Sequence, residues 1–248
     1  VRICVVGWYF DDDFYSSLWR VNSPHAYKNV TYPVFVIAHR DDEFLHNCDL
    51  PYLLQENIGL EWGAYNQYLM KIWDGNESVL FMHDDIKLLP LVTDDGVVPG
   101  ELVFNKLAEI KYDHVYIFQN RIEDVLNYGM HGRMVYFSER VLRLFKSQGG
   151  FLYDGMNKGY IGEGKKPDDV QPYNYGIHGN NEILKKFQEI NPEWSLLKKV
   201  YFPSIEMGYR GKFEKEKDNA ISEKLGKLFH REPIPGGINS WMKFGQIF

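Results

Sequence analysis

Residues 57–85 read NIGLEWGAYNQYLMKIWDGNESVLFMHDD, and the fold is legible in their pattern. Leu60, Ala64, Tyr65, Tyr68, Leu69 and Ile72 recur at helical spacing and predict a helix over Leu60–Trp73. Asp74-Gly75-Asn76 supplies the stop. The short apolar run Ser78–Met82 (SVLFM) then predicts a buried strand that leads straight into His83-Asp84-Asp85.

Upstream the same alternation recurs. Arg2–Val6 (RICVV) is a β-rich run ending at Gly7, and Pro33–Ala38 (PVFVIA) is another, ending in His39-Arg40-Asp41-Asp42-Glu43. Between them Phe14–Arg20 predicts a short helix carrying Phe14, Leu18 and Trp19. Strand, helix, strand, helix, strand is the signature of an α/β layered domain with a mostly parallel sheet. In such sheets ligands gather beyond the carboxyl ends of the strands. Three polar sequences fall at three such ends: Gly7-Trp8-Tyr9, His39-Arg40-Asp41 and His83-Asp84-Asp85. At these positions Trp8, Tyr9 and Arg40 suit a nucleobase or a diphosphate, through stacking and charge.

Downstream, Glu101–Ile110 reads as a helix, and Val115–Phe118 and Met134–Phe137 as strands. Ser138 is placed to cap a helix through Phe145. Gly149–Asn181 is crowded with Gly, Tyr, Asn, Pro and Lys without periodicity, which predicts a long loop of the kind that serves as a lid or binding loop. An amphipathic helix over Asn181–Ile190, a strand over Tyr201–Ile205 and a helix over Ala220–Phe229 follow, then a Pro/Gly-rich tail. No repeat or clean linker divides the chain, so residues 1–248 are expected to form one domain.

Composition narrows the function classes. The formal net charge is −6, and the densest basic stretches are isolated pairs (Lys165-Lys166, Lys185-Lys186, Lys198-Lys199), so no nucleic-acid track is expected. Cys4 and Cys48 cannot frame a disulfide scaffold, and no C-x-x-C is present. The apolar runs are too short to span a bilayer. These features predict an intracellular, cytoplasmic protein with no membrane span. The absence of an initiator Met predicts a trimmed chain or one module of a larger one. Aromatic residues reach 16%, with 17 Tyr, which suits a sugar or nucleobase site; half-buried core positions are the ordinary alternative.

Chemistry concentrates in three places. Asp84 and Asp85 repel one another unless a cation lies beside them, and hard divalent cations such as Mg²⁺ or Mn²⁺ take such oxygen ligands; a solvated turn is the plain alternative. Upstream, Gly59 and Gly63 permit close backbone approach at a helix start, and Asn57 and Asn66 supply neutral polar groups. The third place is Gly179-Asn180-Asn181-Glu182, before the run Ile183–Ile190, where Glu182 is expected in the first helical turn. A carboxylate there suits either a general base or the helix dipole.

Residues 57–85 resemble the nucleotide-sugar half of GT-A-fold glycosyltransferases, in which an Asn-x-Gly segment and a helical Asn precede a strand ending in an Asp-x-Asp-type motif. The resemblance covers about 30 residues closely, and the two preceding strands match in order and spacing. It departs from the pattern at His83, which stands at the first acidic position, and at Tyr65, before the helical Asn66. It implies a GT-A-like, Rossmann-type α/β fold: a mixed, mostly parallel sheet flanked by helices, with a loop-rich acceptor half. Residues 1–90 would hold a nucleotide diphosphate sugar and 91–248 an acceptor such as a glycan hydroxyl. It further implies a divalent metal at Asp85, with Asp84 beside it near the ribose, and Glu182 as the catalytic base of an inverting transfer. Gly7, Trp8, Tyr9, Arg40, Asp41, Asn57, Gly63, Asn66, His83 and Asp84 would line the donor site. Asp154 and Asp169 compete with Glu182, and His178 and His230 are candidate distal metal ligands.

Three rivals differ in kind. A sugar nucleotidyltransferase brings a Gly-rich, basic loop after the first strand, where this chain has Gly7-Trp8-Tyr9-Phe10 and three Asp. A His-Asp phosphohydrolase carries its pairs on helices, whereas His83 ends a strand. A non-catalytic carbohydrate-binding or scaffold domain predicts no metal-dependent nucleotide binding.

Overall fold

The computed structural model describes residues 1–7, 33–39, 41, 43–47, 50–83, 86–88, 91–93, 96–98, 114–119, 132–153, 172–192, 196–201 and 205–207. In chain order the elements are β1 (Arg2–Gly7), β2 (Val34–Ala38), α1 (Glu43–Asn47), β3 (Tyr52–Leu54), α2 (Leu60–Gln67) and β4 (Val79–His83). The short strands β5 (Ile86–Leu88), β6 (Leu91–Thr93) and β7 (Gly96–Val98) follow, then β8 (Val115–Gln119), β9 (Met134–Phe137), α3 (Glu139–Ser147), α4 (Pro172–Ile190), β10 (Leu197–Tyr201) and β11 (Ile205–Met207).

Seven strands form one sheet in the order β10-β8-β9-β4-β1-β2-β3. Every pair is parallel except those made by β9, which runs against both β4 and β8. This is the mixed, mostly parallel, Rossmann-type sheet that was expected. Register explains the core. Cys4 pairs with Phe81, Phe81 with Val135 and Val135 with Ile117, so these four share one face beneath the helices. Ile3, Val5, Leu80, Met82, Tyr116 and Met134 occupy the alternate positions and are buried too. A parallel sheet covered on both faces reads as continuous apolar runs, which is why RICVV and SVLFM show no alternation.

Aromatic rings fill the space between sheet and helices. Phe81 lies 4.5 Å from Tyr65, 5.7 Å from Tyr68 and 5.8 Å from Phe137, centroid to centroid. Phe151 adds contacts to Trp62, Phe137 and Phe145. For these residues the high aromatic content is core, worth about 0.5–1.5 kcal/mol per edge-to-face or offset pair beyond area burial.

Several expectations need correction. The helix predicted over Leu60–Trp73 is α-helical only to Gln67; Tyr68–Ile72 is a wider π-turn, and Trp73 is extended. Tyr68 and Leu69 are both fully buried in this turn, and single π-turns of this kind occur within otherwise α-helical segments. The long loop predicted over Gly149–Asn181 is in part helix, since α4 begins at Pro172. Proline is accommodated at a first helical position, and tertiary contacts described below offset the poor propensity of the Gly and Asn residues that follow it. The strand predicted over Tyr201–Ile205 is two strands, β10 ending at Tyr201 and β11 beginning at Ile205. Ser138 caps α3 as expected, its Oγ accepting from the Val141 N–H at 3.4 Å. The helices predicted over Phe14–Arg20, Glu101–Ile110 and Ala220–Phe229 lie outside the described residues.

Candidate functional site

Strand order places the site. From β1 the chain moves to β2 and β3 on one side, then to β4 on the other side of β1. The crevice beyond the carboxyl ends of β1 and β4 is therefore a topological switch point, the position where open α/β sheets bind ligands. Val6 pairs with His83 and Gly7 with Ala38, so three strand ends finish level with one another. The His39 N–H donates to the Gly7 carbonyl at 3.1 Å, which ties the first two ends together.

Two histidines and an arginine meet here. His39 Nδ1 reaches the Gln55 carbonyl at 3.4 Å, a contact that requires its proton on Nδ1. The His83 N–H donates to the Arg133 carbonyl at 2.9 Å, and Arg133 enters β9, the antiparallel strand that starts where β4 ends. Burial lowers the His39 pKa to about 4, opposed by the Gln55 carbonyl. Burial also lowers that of His83 to about 3, helped by the positive charges of Arg133 and His39. Both rings are thus neutral at pH 7.

In the sequence His83 stands out beside its acidic pair, and His39 only as part of a polar cluster. Nothing local marks Arg133; only the reversal of β9 brings it to this edge.

These shifts predict a pH dependence of stability. A histidine whose pKa is lower in the folded state stabilises the fold above its unfolded pKa near 6.5, and that contribution is lost as pH falls. Between pH 7 and 5 the loss should be about 2 kcal/mol per histidine, from 1.36 kcal/mol per pH unit and proton. Urea unfolding at both pH values should show it, and His83→Gln should diminish the difference. A His83→Gln difference equal to that of the wild type would show that His83 is not held neutral.

The turn between β3 and α2 forms the adjoining wall. Gly59 has φ 79° and Leu60 φ 53°, two successive left-handed residues that swing the chain into α2. A Cβ on Gly63 would collide with the Ile58 carbonyl, whose carbon lies 2.7 Å away. Gly63 therefore allows a close backbone approach as expected, and the partner shown is the Asn57–Gly59 turn. Asn57 Oδ1 in that turn is buried and accepts no hydrogen bond among the described residues.

Asn66 lies on α2. Its side chain is buried, and Oδ1 accepts from the Phe151 N–H at 2.8 Å, fastening the turn after α3 to α2. Asp41, beyond β2, pairs with His46 at 2.7 Å on the exposed surface.

Glu182 is not at a helix start. It lies in the middle of α4, a helix of 19 residues with no acidic residue in its first turn, so the dipole no longer accounts for it. Among the described side chains of α4, Gly179, Ile183 and Phe187 form a buried stripe, and half-buried Glu182 lies beside it, one turn before Lys186. Lys186 Nζ in turn donates to the Gly150 carbonyl at 2.8 Å.

Trp8, Tyr9, Arg40, Asp84, Asp85, Asp154, Asp169 and His230 lie outside the described residues, as does the side chain of His178. Among the described residues no group of three or more His, Cys, Asp or Glu could hold a metal ion, and no helix is long and apolar enough to cross a membrane.

No family model and no curated protein sequence matches the chain. Among solved structures it is similar to glucosyl-3-phosphoglycerate synthase from Mycobacterium tuberculosis in complex with Mn²⁺, UDP and glucosyl-3-phosphoglycerate, at TM-score 0.46 and 10% identity over 95% of this chain and 81% of that one. It is also similar to S. aureus TarS bound to UDP-GlcNAc, at TM-score 0.36 and 15% identity over 57% of this chain and 46% of that one. For the apo glycosyltransferase GlyE of Streptococcus pneumoniae the TM-score is 0.36 and the identity 10%, over 75% and 43%. The chain thus spans less than half of the TarS and GlyE chains it matches. All three TM-scores lie below 0.5, so the fold rests on strand order and register.

Proposed function

We propose that this chain is a glycosyltransferase that moves a sugar from a nucleotide diphosphate sugar to an acceptor hydroxyl, with inversion. The observation that carries this reading is the switch point between β1 and β4, where Gly7, Ala38 and His83 end neighbouring strands, His39 follows β2, and the Trp8-Tyr9 and Asp84-Asp85 pairs follow in sequence. In this reading residues 1–90 take the donor and 91–248 the acceptor.

The roles of the residues follow from their chemistry. Neutral His39 and His83 add no positive charge that would repel a cation at this edge. Asn57 Oδ1 accepts an N–H or O–H from the bound nucleotide, which would relieve its buried, unpaired state. Asp84 and Asp85 would hold a divalent cation, Mn²⁺ or Mg²⁺, which when bound neutralises charge on the diphosphate. Glu182 accepts the proton as the acceptor oxygen bonds to the anomeric carbon and the bond from that carbon to the diphosphate oxygen breaks.

Calorimetry with nucleoside diphosphates tests the reading. Binding should require Mn²⁺ or Mg²⁺, and Asp85→Ala should weaken it by about tenfold or more while the melting profile is kept, since two carboxylates facing a diphosphate without metal repel it. Equal affinity in excess chelator would overturn the metal site. No nucleotide binding under any condition would overturn the transferase.

A further inference from the structure

We propose that Trp62 is a positioning residue for the transfer reaction, acting on Glu182 through Asn180. The inference rests on the reading of Glu182 as the base, and goes beyond it by naming what holds that residue in place.

Trp62 is 1% exposed, yet its indole N–H is a donor that burial obliges to find an acceptor. The acceptor is Asn180 Oδ1, at 2.7 Å, on a helix 118 residues away. Because the indole nitrogen can only donate, the amide oxygen of Asn180 has to face it, which fixes the rotation of that side chain.

Neighbouring contacts tighten the joint. A Cβ on Gly179 would lie 2.8 Å from Tyr153 Oη and 3.4 Å from the Trp62 ring, so α4 is seated as closely as glycine allows. Trp62 itself sits in the first turn of α2 against Gly132, next to Arg133 and the end of β4. The indole therefore links α4 directly to the carboxyl edge of the sheet.

Glu182 lies between two anchorages of α4. On one side are Gly179 and Asn180, held by Trp62 and Tyr153. On the other are Ile183, Phe187 and Lys186, held by the core, by Phe145 and by the Gly150 carbonyl. The segment before Glu182 is PYNYGIHGNN, with two glycines and three asparagines, a poor helix former by itself. Removing the indole N–H should leave the second anchorage, and hence the fold, in place. What it should release is the register of Glu182 against the strand ends.

The test compares Trp62→Phe, which keeps an aromatic ring against Phe151, with Asn180→Leu, which removes the acceptor, and Asn180→Asp, which keeps one. Trp62→Phe and Asn180→Leu should each lower kcat about tenfold, with nucleotide affinity within about twofold of wild type. The double variant should lose no more than either single one, because both remove the same hydrogen bond. Asn180→Asp should stay within about threefold of wild type. Hydrogen exchange over 172–182 should quicken in the first two variants and not in the third.

Multiplicative losses in the double variant, or a wild-type kcat in Trp62→Phe, would overturn the proposal. If the wild-type protein transfers no sugar, the transferase reading fails. Exchange then still decides the positioning: unchanged exchange over 172–182 in Trp62→Phe would show that the indole does not fix the helix.

Discussion

Gly63→Ala is expected to lower stability by about 3 kcal/mol or more, against a total of about 5–15 kcal/mol for a typical domain. Helix propensity alone predicts the opposite, since alanine in a helix interior is favoured over glycine by about 1 kcal/mol. Geometry decides the sign. The added methyl would meet the backbone carbonyl of Ile58, not a side chain that could rotate away. Relief requires moving either the first turn of α2 or the Asn57–Gly59 turn, and the left-handed conformations of Gly59 and Leu60 leave that turn little freedom. A thermal melt should show a fall of about 6–12 °C, taking 2–4 °C per kcal/mol for a chain of this size. A melting temperature equal to or above that of wild type would mean that the turn yields easily. The same variant should bind nucleoside diphosphate more weakly, because the displaced turn carries Asn57.

Glu182→Gln is expected to lower single-turnover rate by about 10²-fold or more while leaving nucleotide affinity unchanged. The substitution keeps side-chain length and helix propensity and removes the basic oxygen. The placement of Glu182 in the middle of α4 makes the comparison cleaner than a helix-start position would. No dipole interaction is lost there, because the macrodipole acts within the first turn. The melting temperature should therefore hardly move, so a large rate loss could not be ascribed to lost stability. A rate within a few-fold of wild type would remove Glu182 from the mechanism and move attention to Asp154 and Asp169.

How much was legible in the sequence differs by element. The strands Arg2–Val6, Pro33–Ala38, Ser78–Met82, Val115–Phe118 and Met134–Phe137 all correspond to observed strands, shifted by no more than one residue at either end. They are short, apolar and bounded by turn residues, a local signal that packing does not need to supply. The Ser138 cap was equally local. By contrast β3 is only three residues long, with half-exposed Tyr52 and Leu54, too short a run to mark a strand, and its position at the sheet edge comes from pairing with β2. The first half of α4 was illegible for a different reason. Its glycines and asparagines oppose a helix, and the helix exists where Gly179 fits against Trp62 and Tyr153 and where Asn180 accepts the indole proton.

The candidate site divides the same way. The ends of β1, β2 and β4 were found because a polar residue directly after an apolar strand has to lie at the sheet edge. The amino-acid sequence alone thus determined the α/β class, the strands that build the sheet centre, and the polar residues at their carboxyl ends. Tertiary structure alone decided that β9 runs antiparallel and brings Arg133 beside His83, and that Asn66 serves the turn at Phe151. It also decided that Glu182 lies inside a helix. Each of these depends on a partner distant in sequence, and local periodicity carries no information about which distant group a side chain will meet.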